Sequence, residues 1–176
     1  MSDAYVFDTG PLSHFAEAGW LKILQALAGD RLVLIPEVVR TEVSEATHLY
    51  PFLTQILDAD WIKTDRSDDV ELIVAHARYT ARLASGRKNL GECGVLALAE
   101  VRHQIAIIDD RVAREAGEEY GVEIKGTLAL MCDGIRQGML TVPLVSRIAD
   151  DLLATEYRLP LRPGQFESWA RDEGWI

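Results

Sequence analysis

Short apolar runs alternate along this chain with longer segments whose apolar residues recur every three or four positions. The short runs suit buried strands and the longer periodicity suits amphipathic helices. Alternation of the two predicts an α/β fold with a mostly parallel sheet. Tyr5-Val6-Phe7 reads as a first strand, closed by the turn-formers Thr9-Gly10-Pro11. A helical stretch over 16–28, interrupted near Gly19, leads to a second strand over 31–35, and Pro36 suits the first position of a helix ending near residue 46. Residues 50–58 lead to a short strand at 61–63 and a helix over 68–84. After the polar loop 85–89 come a helix over 90–103, a strand over 105–108 and a helix over 111–120. A short edge strand at 122–124 and helices over 127–137 and 143–155 follow. Residues 1–155 thus read as one domain. The proline-bearing tail 156–176, with Phe166, Trp169 and Trp175, belongs to that domain or meets a partner.

Composition narrows the class without changing the elements. A chain of 176 residues, 48% hydrophobic and 26% charged, has enough apolar mass for one well-buried core and excludes a disordered or fibrous chain. Cys93 and Cys132 are far apart and form no CxxC or Cys/His cluster, which argues against a zinc site or disulfide scaffold and suits a reducing cytosol. The N-terminus has no basic leader pattern, and no stretch reaches the roughly eighteen apolar residues of a membrane span. A cytoplasmic protein without membrane contact is expected. The net charge of −10 has two readings: a solvated acidic surface, or carboxylates concentrated where cations bind.

Four separate stretches offer carboxylates to one place. In open parallel sheets the functional cleft lies at the carboxyl ends of the strands. Asp8 directly follows the first apolar run, and Asp109-Asp110 directly follow Ile105-Ala106-Ile107-Ile108. Glu42 falls about two turns into the helix after the second strand, and Glu92 in the first turn of the helix before the 105–108 strand. Gathered carboxylates repel one another, so a site of this kind calls for a cation. All-oxygen donors suit Mg²⁺ or Mn²⁺, and two such ions about 3.5–4 Å apart support phosphodiester hydrolysis without a histidine or serine nucleophile.

Each residue also has a purely structural role open to it. Asp8 suits an Asx turn or helix cap, and Asn89-x-x-Glu92 has capping-box spacing. Glu42 suits a solvated helix face, and one aspartate of the pair suits the cap of the helix starting at Arg111. His14, His48, His76 and His103 are scattered without i, i+4 pairing and read as surface or cap residues. Asp8-Thr9-Gly10 matches the aspartic-protease triplet, but those enzymes need all-β halves. Asp109-Asp110 lies too late for a receiver-domain acidic pair, and Gly10 breaks a haloacid-dehalogenase Asp-x-Asp.

Taken in order, YVFDTGPLSHF, IPEVVRTEV, NLGECGVLALAE and AIIDDRVAREAGEEYGVEIKGTLALM resemble the four motifs of PIN domains, the last in a form similar to the VapC-like branch, with Gly126-Thr127 opening the next helix. The likeness covers most of residues 4–145. It implies a three-layer α/β/α sandwich, Mg²⁺- or Mn²⁺-dependent cleavage of RNA, often a homodimer, and in many relatives a toxin restrained by a small antitoxin. The implied catalytic set is Asp8, Glu42, Glu92, Asp109 and Asp110, with Asp8, Glu92, Asp109 and Asp110 on the metal and Thr9 orienting Asp8 or a bound water. Downstream spacing puts Asp110 in the fourth catalytic slot, whereas the strand end favours Asp109. Arg78, Arg82, Arg87 and Lys88 form a basic stretch, and Arg111 beside the acidic pair is the best candidate for a phosphate contact.

The function expected is thus a metal-dependent endoribonuclease, the toxin of a toxin–antitoxin pair. The alternative is a non-catalytic PIN-like module that binds RNA or protein, which would have no need to gather repelling carboxylates. A metal-dependent DNA nuclease ranks last because the chain is short for extra DNA-binding elements.

Overall fold

A computed structural model describes residues 4–86 and 88–176. Its centre is a five-stranded sheet: β1 (Ala4–Phe7), β2 (Leu32–Pro36), β3 (Ile62–Asp65), β4 (Ile105–Ile107) and β5 (Ile124–Lys125). All neighbours run parallel in the order β3-β2-β1-β4-β5. Ten helices flank the sheet among the described residues and complete a three-layer α/β/α sandwich. They are α1 (Thr9–Glu17), α2 (Leu21–Ala28), α3 (Glu37–Ala46), α4 (Thr54–Asp58), α5 (Val70–Leu83), α6 (Leu90–Arg102), α7 (Arg111–Glu119), α8 (Thr127–Arg136), α9 (Val142–Ala154) and α10 (Phe166–Asp172).

The topology places the cleft. From β1 the chain moves outward through β2 to β3, then returns to the other side of β1 for β4 and β5. The reversal lies between β1 and β4, and crevices form at the carboxyl ends of strands on either side of such a point. There Asp8 donates its backbone N–H to the Ile107 carbonyl at 3.2 Å, so the residues ending β1 and β4 lie side by side. Ala4–Phe7 and Ile105–Ile108 are all buried, as apolar strands covered on both faces must be. Helix α6 contacts β1, β2 and β4 and packs against α3, α5 and α7.

Several local expectations are corrected. Thr9-Gly10-Pro11 does not turn the chain away but forms the first turn of α1, with Asp8 as its cap. Proline is accommodated there because first-turn N–H groups have no intrahelical partner. Pro36 ends β2, opposite Asp65, rather than opening α3. The fifth strand lies at Ile124–Lys125, beginning two residues later than its apolar pattern implied. The tail holds helix α10, and Tyr157, Leu161, Phe166 and Ala170 are buried in the main core. Cys93 and Cys132 are buried free thiols whose pKa values burial raises to about 11.

Gly117 shows how closely α7 approaches its neighbours. A Cβ there would stand 2.6 Å from both Ile124 Cδ1 and Leu96 Cδ2. Alanine normally gains about 1 kcal/mol over glycine inside a helix. Gly117→Ala is instead expected to destabilise the fold by about 1–3 kcal/mol through overpacking, measured by chemical denaturation. A stabilised variant would mean that α7 is free to shift away from α6 and β5.

Candidate active site

Asp8 stands at the end of β1 with its carboxylate buried, and its Oδ2 accepts a long 3.4 Å hydrogen bond from the Gly10 N–H. Burial is the main force on this group, followed by the negative charge of Glu92; Glu42 adds to the repulsion. Together they raise its pKa to about 8. Glu92, in the first turn of α6, is also raised, by burial first and then by Glu42 and Asp110. Asp8, Glu42, Glu92 and Asp110 therefore share one electrostatic neighbourhood. Among the described residues none of the four makes an ion pair with a lysine or arginine.

Local structure explains how these side chains meet. Thr9 donates its hydroxyl proton to Glu42 Oε2 at 2.8 Å, fastening α3 to the start of α1. Thr9 thus holds Glu42, where Asp8 or a bound water was the partner expected. Gly91 lets Glu42 lie against α6, since a Cβ there would sit 2.7 Å from Glu42 Oε2. The capping-box spacing of Asn89 and Glu92 is not used: Asn89 is left-handed, with φ 64°, and its amide donates to the Leu83 carbonyl. Glu92 is thereby left to the acidic neighbourhood.

The two adjacent aspartates have different partners. Asp110 caps α7, accepting from the Ala113 N–H at 2.8 Å. Asp109 accepts from the Thr127 N–H at 2.7 Å and from the hydroxyls of Thr127 and Tyr157. A cleft of about 390 Å³ joins them, lined by Asp8, His14, Asp109, Asp110, Arg111 and Tyr157 among others. His14 stacks on Tyr157 with ring centroids 4.3 Å apart, and burial lowers its pKa. Tyr157 is raised well above its ordinary value, by burial and then by Asp109.

The basic residues serve mainly as ion-pair partners. Arg78 bonds Glu100, Arg82 bonds Glu119 and Arg111 bonds Glu115. Arg87 lies outside the described residues. Arg111 is highly exposed, so its Glu115 pair is weak enough to exchange for a phosphate. Arg158 and Tyr157, on the same cleft, carried no signal in the sequence, and His14, read there as a surface or cap residue, lines the cleft too. Thr127, which holds Asp109, had the Gly126-Thr127 step as its local signal.

Whether the group suits a divalent ion depends on chemistry and placement. The donors are hard carboxylate oxygens, and among the described residues the buried Asp8 makes no ion pair, both of which suit Mg²⁺ or Mn²⁺. Among the described residues, however, no three His, Cys, Asp or Glu side chains are grouped to hold an ion directly. Asp109 is tied to Thr127 and Tyr157, and Glu42 to Thr9. An ion that keeps several of its waters tolerates the looser grouping.

A family model described as a PIN domain matches residues 4–162, a span that takes in all five carboxylates and Tyr157. No curated protein and no solved structure matches the chain significantly. The parallel sheet, the acidic cleft at its switch point and this match agree, and the chain belongs to the PIN-domain family.

Proposed function

We propose that this protein is a metal-dependent endoribonuclease acting in the cytoplasm, the toxin of a toxin–antitoxin pair. The observation that carries the reading is Asp8: buried, raised to about 8 by burial and by Glu92, and without a cation among the described residues. A fold gains nothing from a carboxylate in that state unless an ion compensates it. Asp8, Glu92, Asp109 and Asp110 are the residues to hold Mg²⁺ or Mn²⁺, with Glu42 completing the acidic set. The ion supplies an activated water and charge stabilisation for cutting a phosphodiester. Thr9 keeps Glu42 oriented, and Arg111 and Arg158, which line the same cleft, are the residues proposed to receive RNA phosphates. A small antitoxin with a basic segment suits the same acidic cleft.

One observation favours a second reading, a PIN-fold module that binds RNA or protein without cutting: no three carboxylates are grouped to hold an ion directly. Purified protein incubated with a mixed RNA pool, with and without Mg²⁺ or Mn²⁺ and beside Asp8→Asn, separates the two. Metal-dependent fragments absent from the variant support the nuclease. Failure of the folded protein to bind either metal leaves the binding module.

A homodimer, expected of such proteins, is proposed to form through α5. On α5, Val70, Ile73 and Val74 are 74%, 57% and 58% exposed, and Ala77 and Ala81 extend the same stripe. Asp68 and Glu71 flank its start, and Arg82 and Lys88 its end, so antiparallel pairing with a second copy brings opposite charges together. A mainly apolar groove of about 230 Å³ beside it is lined by Val38, Leu72, Ile73, Gly94, Ala97 and Leu98, among others. Ile73→Asp is expected to convert a dimer to a monomer in light scattering after size exclusion. A dimer that survives the change does not use this face.

A further inference from the structure

Tyr157 reaches the cleft from beyond α9, outside the sheet and its crossover helices, and its hydroxyl donates to Asp109 Oδ2. The same oxygen accepts from the Thr127 hydroxyl, while Oδ1 accepts from the Thr127 N–H at 2.7 Å. A carboxylate oxygen has two lone-pair sites. Oδ2 has both engaged, and Oδ1 retains one. Gly126 permits this grip, since a Cβ there would lie 2.9 Å from Asp109 Oδ1.

Tyr157 is itself held from two sides. Its ring stacks on His14 of α1 with 22° between the planes. Thr155 gives its hydroxyl proton to the Leu152 carbonyl at 2.7 Å, so at the 2.8 Å contact with His14 it accepts and Nδ1 carries the hydrogen. That bond fixes the imidazole against the tyrosine. The clamp joins α1, the end of α9 and the end of β4 across one buried side chain.

We infer that Tyr157 is a positioning residue for the acidic centre: with Thr127 it fixes the orientation of the Asp109 carboxylate in the cleft shared with Asp8 and Asp110, where a divalent cation would be held. This rests on the metal-dependent reading of the site. The adjacent Asp110 has a different partner, capping α7 through the Ala113 N–H. Groups that hydrogen-bond a ligating carboxylate fix its orientation, and their loss commonly weakens metal binding by about 10–100-fold.

The test uses the full chain and Mn²⁺ alone, with affinity measured by electron paramagnetic resonance of free Mn²⁺ and by titration calorimetry. Tyr157→Phe keeps the ring and its stacking and removes only the hydroxyl. It is expected to bind Mn²⁺ about tenfold more weakly than wild type, while near-UV circular dichroism shows the fold retained. Thr127→Val is expected to weaken binding likewise, and Thr127→Ser, which restores the hydroxyl, to recover it. Unchanged Mn²⁺ affinity in Tyr157→Phe, with binding lost in Asp8→Asn, overturns the positioning role and leaves the metal site standing. A wild-type protein that binds no Mn²⁺ overturns both.

Discussion

Asp8→Asn is expected to lose RNA cleavage by at least about a thousandfold, because in the proposed reading several kcal/mol of transition-state stabilisation depend on a divalent ion that Asp8 helps hold. The same change is expected to make the metal-free protein more stable at pH 8. The Asp8 carboxyl titrates near 3.8 in an unfolded chain and near 8 in the folded one. Between those values the native state binds more protons, so stability falls as pH rises. The favourable protonated state is fully present below about pH 4 and is lost as pH approaches 8. Sharing of charge with Glu92 and Glu42 limits the effect to about 2–4 kcal/mol. Asp8→Asn keeps an oxygen to accept from Gly10 and removes the charge, so its stability should vary less across this range. Added Mg²⁺ should restore the wild type at pH 8 and leave the variant unmoved. Thermal unfolding in chelator, at pH 5 and pH 8, with and without Mg²⁺, reads all of this. Equal pH dependence in the two proteins would remove Asp8 from the acidic centre.

Phe7→Ala is expected to destabilise the protein by about 3–5 kcal/mol, the usual cost of removing a buried aromatic ring. Phe7 is fully buried on the central strand, paired in register with Ile107 and set edge-on to Tyr5 at 6.3 Å. Sheet neighbours on both sides prevent the strand from collapsing into the void. In a chain of this size the loss corresponds to a melting temperature lower by about 6–20 °C. Because Asp8 is the next residue, the displaced strand end should also weaken Mn²⁺ binding at temperatures where the variant remains folded. Differential scanning calorimetry measures the first effect and metal titration the second. A loss below about 1 kcal/mol would mean that the core beneath the cleft is loosely packed.

Strands, helices and the carboxylates at their ends were legible because each depends on neighbours a few residues away. Apolar runs mark β1 and β4, and an acid directly after each falls at the strand's carboxyl end in any parallel arrangement. The cap at Asp110 is equally local, three residues from the N–H it accepts. Even these signals misplace boundaries, as at Thr9-Gly10-Pro11, where a turn signal and the first turn of a helix look alike until Asp8 is seen to cap it.

Tertiary structure decided what local pattern does not encode. Strand order put Asp8 beside Asp109, although about a hundred residues separate them. Asp109 and Asp110 have the same chemistry and adjacent places in the sequence. Their hydrogen-bond partners differ: Tyr157, 48 positions on, donates to Asp109, while the backbone of α7 donates to Asp110. The His14–Thr155 bond that steadies Tyr157 spans 141 positions. Such contacts exist only once the sheet and its helices have packed, so no window of sequence foretells them. The sequence by itself determined which acids are available; packing determined which of them face one another, and which are already spoken for by a neighbour's proton.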